Sequence, residues 1–166
     1  MKIKCLMDVA LSFLMATSVV AQGKMVPLGA QYSTSLYSIK YPNGWQVVER
    51  LNAMTDAYIG STTDDFGFTI VRFEIDLSLE EINKVGNADL QQGGVKILED
   101  KLVEVAGVKC YRAVHEIVLP NQTIKHISYA FKKGDMLYNL KFGDVNTREK
   151  ELLVADIVKS FRFNND

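Results

Sequence analysis

The sequence predicts an α+β fold: a twisted, mainly antiparallel sheet flanked by helices. Three observations carry this. From Ser33 onward, short apolar runs alternate with Pro, Asn and Gly breaks. The apolar period changes twice from about two to about 3.6 residues, once after Ser78 and once after Asn146, behind a capping signal each time. The breaks between residues 95 and 142 are two to four residues long, too short for crossover helices and suited to antiparallel neighbours.

The start reads as an address. Lys2 and Lys4 precede a mostly apolar run from Leu6 to Ala21 that ends in "VVA". Residues 1–21 are therefore expected to be a secretory signal peptide cut after Ala21, and the protein to be exported, periplasmic or secreted. An uncleaved anchor is the alternative, but the run is shorter than the ~20 apolar residues that usually span a bilayer. Cys5 follows "KIK" and lacks the apolar approach of a lipid-attachment site. Cleavage removes Lys2, Lys4 and Asp8 and leaves 17 basic against 19 acidic residues. That balance does not suit a nucleic-acid partner, which needs clustered Lys and Arg. Cys110 is then the lone cysteine, so packing rather than a disulfide must hold the fold. Residues 22–32 are expected to be an irregular lead-in and 33–166 a single domain, with no membrane insertion after cleavage.

Within that domain, "LYSIKY" (36–41) and "WQVVE" (45–49) flank Pro42-Asn43-Gly44, which predicts a hairpin clamped by aromatics at its edges. Short strands are expected at 57–61 and 68–75, with a polar loop at 62–67. Ser78 and Glu81 match a capping box, Leu79, Ile82, Val85 and Leu90 give a helical stripe, and Gly93-Gly94 ends it. Strands follow at 95–105, 108–118, 123–131 and 136–142. A two-residue turn at Pro120-Asn121 pairs Ile117 with Ile124, Glu116 with Lys125 and Val114 with Ile127, which matches apolar to apolar and plus to minus. A turn at Lys133-Gly134 would pair Phe131 with Met136 and Tyr129 with Tyr138. Asn146 with Glu149 opens the last helix, whose stripe is Leu153, Val154, Ile157, Val158 and Phe161. Both helices should cover the sheet.

Tyr37, Ile39, Tyr41, Pro42, Gly44 and Trp45 form an aromatic-x-Ile-x-Tyr-Pro-x-Gly-Trp element. With the Ser78–Glu81 helix start, the strand pair around Gly107 and the closing "IVKSFRF" (157–163), the chain resembles the PsbP-like family, which includes DcrB-like bacterial proteins. The resemblance spans roughly residues 33–163. It implies an α/β/α sandwich around an antiparallel sheet. It also implies a rigid, non-catalytic binding module: photosynthetic members are extrinsic subunits that help a membrane complex hold inorganic cofactors, and a nuclear relative binds a small GTPase.

Few residues offer chemistry. The same register sets His115 opposite His126, on a face shared with Tyr111, Ala113, Ser128 and Ala130, with Asp100 opposite Ala113. Two imidazoles could ligate a transition metal, although a complete site needs a third or fourth ligand; two half-exposed histidines are the plainer alternative. Cys110 differs in parity from His115, so the two point to opposite faces and a dyad is not expected. Asp64-Asp65 lack EF-hand spacing, and Glu80-Glu81 suit a helix start. "NQT" (121–123) is a glycosylation pattern only in a eukaryotic secretory host. No phosphate loop or nucleophile elbow is present, and no cofactor is expected. The reading is a non-enzymatic exported binding module that docks on a protein partner or envelope complex. The alternative is a small-ligand or metal carrier using a sheet–helix pocket or the histidine pair, and an undetected hydrolase stands last.

Overall fold

The structure is a computed structural model that describes residues 26–164; the expected signal peptide lies outside the described residues. The chain order is β1 (Leu28–Ser33), β2 (Tyr37–Pro42), β3 (Gln46–Glu49), β4 (Thr55–Gly60), β5 (Gly67–Glu74), α1 (Leu79–Gln92), β6 (Lys96–Val105), β7 (Val108–Leu119), β8 (Gln122–Lys133), β9 (Met136–Phe142), α2 (Arg148–Lys159) and β10 (Arg162–Phe163). Seven strands form one antiparallel sheet in the order β3-β4-β5-β9-β8-β7-β6, and β1-β2-β10 form a second, three-stranded sheet. This is the expected α+β sandwich, with a small sheet added.

Strand alternation sorts the large sheet into two faces. One carries Phe68, Ile70, Val114, Ile127, Tyr129, Phe131, Tyr138, Leu140 and Phe142, all buried. Against it pack β2, through Tyr37, Ile39 and Tyr41, and α2, through Val154, Ile157 and Val158, closed by Phe161. Rings dominate this seam. Phe68 stacks on Phe142 at 4.9 Å, Phe131 on Phe161 at 4.7 Å, and Tyr37 meets Tyr138 edge-on at 5.6 Å. Such pairs add about 0.5–1.5 kcal/mol each beyond the area they bury. The opposite face carries Ala113, His115, His126, Ser128 and Lys141, with α1 over its β6–β8 side.

Four expectations need correction. The lead-in is not irregular throughout: residues 28–33 form β1, which pairs antiparallel with β2. The Pro-Asn-Gly turn exists, with Gly44 at φ 82° and the Trp45 amide donating to the Pro42 carbonyl at 3.5 Å. Its flanking strands do not pair with each other, however. Both edges of β2 are taken, by β1 and β10, so β3 pairs with β4 in the large sheet. The turn is a corner between sheets, and Trp45 packs on Phe66 and Phe68 rather than on Tyr41. Third, the β8–β9 turn is Gly134-Asp135, because Gly134 takes the positive-φ first position. Phe131 therefore faces Tyr138 and Tyr129 faces Leu140. The slip is two residues, so every side chain keeps its face. Fourth, Thr147 rather than Asn146 caps α2, its hydroxyl accepting from the Lys150 amide.

The β6–β7 and β7–β8 registers match expectation, including Asp100 opposite Ala113. So does the α1 capping box, in which both reciprocal Ser78–Glu81 bonds are present. Yet α1 buries no residue fully. Val85 lies roughly 120° around the helix from Leu79, off the stripe, and is 53% exposed. Side-chain bonds attach α1 to the sheet instead: Asn83 and Asn87 both donate to the Asp100 carboxylate, at 2.6–2.7 Å.

Tyr37 joins the two sheets. Its ring is 0% exposed. Its hydroxyl donates to Asp56 Oδ2 of β4 at 3.0 Å, and Arg72 of β5 grips the same carboxylate through two bonds. Burial and the adjacent carboxylate hold the phenol pKa well above its ordinary value, so it stays a donor. Tyr37→Phe should cost about 1–2 kcal/mol by withdrawing one donor from Asp56. Tyr37→Ala should cost about 3–5 kcal/mol by emptying the ring site. Urea unfolding midpoints check both values.

Candidate functional site

Among the described residues, two places bring together side chains suited to ligand chemistry. The first is an opening of about 340 Å³ between α2 and the segment 61–66. That segment is held by its own polar groups. Ser61 Oγ accepts from the Thr63 and Asp64 amides, Asp64 Oδ1 accepts from the Phe66 amide, and the Ser61 amide donates to the Phe66 carbonyl. These bonds turn Phe66 inward until it is buried. Trp45 stands edge-on against it at 5.6 Å. Together the two rings form an aromatic floor.

The opposite wall is α2. Glu149, Leu152, Leu153 and Asp156 follow the i, i+3, i+4, i+7 spacing of one helix face and all line the opening, as does Val26. Lys150 also lines it, but its ammonium is engaged. It lies 5.2 Å from the Phe66 ring centre and donates to the Asp144 carbonyl and to Asp144 Oδ2 at 3.1 and 2.8 Å. Asp64, Glu149 and Asp156 thus give the rim a net negative character over an apolar interior. A volume of this size, apolar with a few polar groups, is at the small end of ordinary ligand pockets.

The second place is the histidine pair. His115 and His126 are direct cross-strand partners, as the sequence indicates. His115 Nε2 is buried with no hydrogen-bond partner. Burial lowers both imidazole pKa values from the usual range. His126 and Lys141 push His115 further down, and Lys141 does the same to His126, while Asp100 and Asp144 oppose. The third ligand is not delivered. Asp100 stands opposite Ala113, but its oxygens are occupied by Asn83 and Asn87. Among the described residues, no group of three or more His, Cys, Asp or Glu side chains converges so as to hold a metal. His126 instead lines a shallow groove of about 290 Å³ with Tyr58, Asp65 and Lys141.

Other features are less suited to ligand chemistry. A polar hollow of about 350 Å³ holds Arg50 and Arg72 but also Glu49 and Asp56, so its charges balance. Cys110 is buried, and burial pushes its thiol up to about 12. It belongs to the face of β7 opposite His115, so neither a thiolate nor a Cys–His dyad is formed. Sequence reasoning missed the α2 opening. The one signal for it was Phe66 embedded in the polar run "TTDDFG", an apolar ring that such a loop must bury somewhere.

Comparison with known proteins gives structural matches at low identity. The solution structure of cyanobacterial PsbP (CyanoP) from Synechocystis sp. PCC 6803 matches with a TM-score of 0.68 at 16% identity, covering 86% of this chain and 96% of that one. The chain has the PsbP-like fold. LpqN, involved in cell envelope biogenesis of Mycobacterium tuberculosis, matches with a TM-score of 0.55 at 12% identity over 82% of this chain and 86% of LpqN. A crystal structure from Bacteroides thetaiotaomicron VPI-5482 matches at 0.59 and 13%, over 84% of this chain, which spans only 50% of that protein. No family model and no curated protein matches the sequence. Within this PsbP-like fold, the α2 opening lies beside the Trp45 end of the Tyr-Pro-x-Gly-Trp element. No helix among the described residues is long and apolar enough to cross a membrane.

The histidine pair sets a pH dependence. Both imidazoles have folded-state pKa values below the unfolded value of about 6.5. Between those values the unfolded chain binds more protons, so stability should fall as pH drops from about 7 to about 5. A His115→Gln/His126→Gln double variant should flatten that slope, as read from urea midpoints across the range.

Proposed function

We propose that this chain is a non-enzymatic, exported binding module that docks on a protein partner of the cell envelope, with the Trp45–Phe66 opening as the place where the partner anchors. The aromatic floor facing α2 carries this reading. A half-buried tryptophan backed by a buried phenylalanine at the floor of an opening is the kind of pocket in which an interface buries an anchor residue. Three observations support it. The basic start and apolar run of residues 2–21 read as an export signal. A protein with the same fold, LpqN, is involved in cell envelope biogenesis. The thiol of Cys110 is buried, is held protonated by that burial and faces away from the histidines, so it makes no Cys–His pair.

A photo-crosslinking residue in place of Leu152, at the opening, should yield one discrete adduct in the native envelope. The same group in place of Val85, on the opposite face of the sheet, should not. Equal adduct patterns from both positions would overturn the docking site.

A second reading, metal carriage by His115 and His126, is favoured by the unbonded, buried His115 Nε2. With two protein ligands such a site would be weak and would draw its remaining ligands from water or from a partner. Zinc should then raise the melting temperature of the wild type but not of His126→Ala. Identical responses of the two proteins end this reading.

A further inference from the structure

The chemistry of the α2 wall narrows what can anchor there. Glu149 and Asp156 are two helical turns apart on one face, with Leu152 and Leu153 between them. Asp64 faces this stripe from the 61–66 segment. The opening therefore presents a carboxylate at each end of an apolar strip and a third across the gap. The single cation in the wall is already paired: Lys150 Nζ is 2.8 Å from Asp144 Oδ2. Asp156 is only loosely met by Lys159, at 3.8 Å. An anion entering here would be repelled without a free counter-charge. A cation on an apolar body would meet the rim carboxylates, and the half-buried Trp45 ring attracts cations in its own right, whereas the Phe66 ring already has the Lys150 ammonium 5.2 Å from its centre.

Resting on the docking reading above, we infer that the occupant is a segment of the partner protein in which an apolar anchor residue is flanked by lysine or arginine. The apolar side chain fills the space over Trp45 and Phe66, and the flanking cations reach Glu149 and Asp156. Two carboxylates seven residues apart lie roughly 10 Å from each other along a helix. That separation suits cations on either side of a short anchor rather than one compact charge. Electrostatic complementarity of this kind sets partner choice and orientation more than raw affinity.

Trp45 is the only tryptophan in the chain, so intrinsic fluorescence reads occupancy of this opening directly. The probes are three capped peptides: Lys-Leu-Leu-Lys, Ser-Leu-Leu-Ser and Glu-Leu-Leu-Glu. Titrated at low ionic strength into the folded protein, the lysine peptide should bind at least about tenfold tighter than the glutamate peptide. The serine peptide should fall between them. Raising salt to about 0.5 M should shrink the spread, because exposed charges are screened within a few ångströms there. The Glu149→Gln/Asp156→Asn pair should narrow the spread between the lysine and glutamate peptides. Equal affinities for all three peptides, or preference for the glutamate peptide, would overturn the charge inference and leave the docking site standing. Silence of Trp45 toward all three would sink the anchor site itself. Phenethylamine binding as tightly as the lysine peptide would overturn the assignment to a peptide segment.

Discussion

Everything in this molecule leans on one apolar seam, where a seven-stranded sheet meets a mixed layer of helix and strands. α2 alone cannot cover that sheet. Its twelve residues supply only Val154, Ile157 and Val158 as fully buried side chains. The rest of the cover comes from β2, whose Tyr37, Ile39 and Tyr41 point into the same space. Because β2 must lie there, it needs edge partners of its own, and β1 and β10 provide them. The small sheet is thus a consequence of incomplete helical cover. Tyr37 fixes its position, since a buried hydroxyl has to find an acceptor and Asp56, held by Arg72, supplies it.

The two faces of the large sheet are held by different means. The Tyr37 face is aromatic and close-packed. The α1 face is held largely by hydrogen bonds: Asn83 and Asn87 to Asp100, and Lys132 Nζ to the Leu77 carbonyl. Small side chains such as Ala113 let α1 approach the strands. A helix attached this way contributes less apolar burial than α2 does, and its contacts depend on matched polar geometry. The histidines share this face, which explains why they are half-buried without being sealed.

Local signals in the sequence were sufficient for most contacts between sequence neighbours, although the β8–β9 turn and the α2 cap each fell one residue away from the expected position. The β6–β7 and β7–β8 registers, the Ser78 capping box and the α2 stripe all follow from residues close in the chain. The errors of topology occurred where distant segments compete. "YPNGW" has the residues of a hairpin, but whether β2 pairs with β3 depends on β1 and β10, one of them about 120 residues away. No local pattern contains that competition, and residues 28–33 looked irregular for the same reason. The candidate site shows the same division. The His115–His126 pairing was legible from turn length alone. The α2 opening was not, because Trp45, Phe66 and Leu152 meet only through the tertiary fold.

The small sheet also determines how the domain bears load. β1 and β10 both run antiparallel to β2, on its two edges, and are therefore parallel to each other. Tension drawn on β1 through Leu28 and on β10 through Phe163 pulls these strands in opposite directions along their own axes. Their bonds to β2 lie perpendicular to that pull. They are sheared together rather than peeled one at a time. Asn164 adds two further ties, its amide to the Leu36 carbonyl and its side chain to the Thr34 carbonyl. A domain tethered at one end and gripped at the other would resist extension first in these few rungs, before the seven-stranded sheet feels any strain.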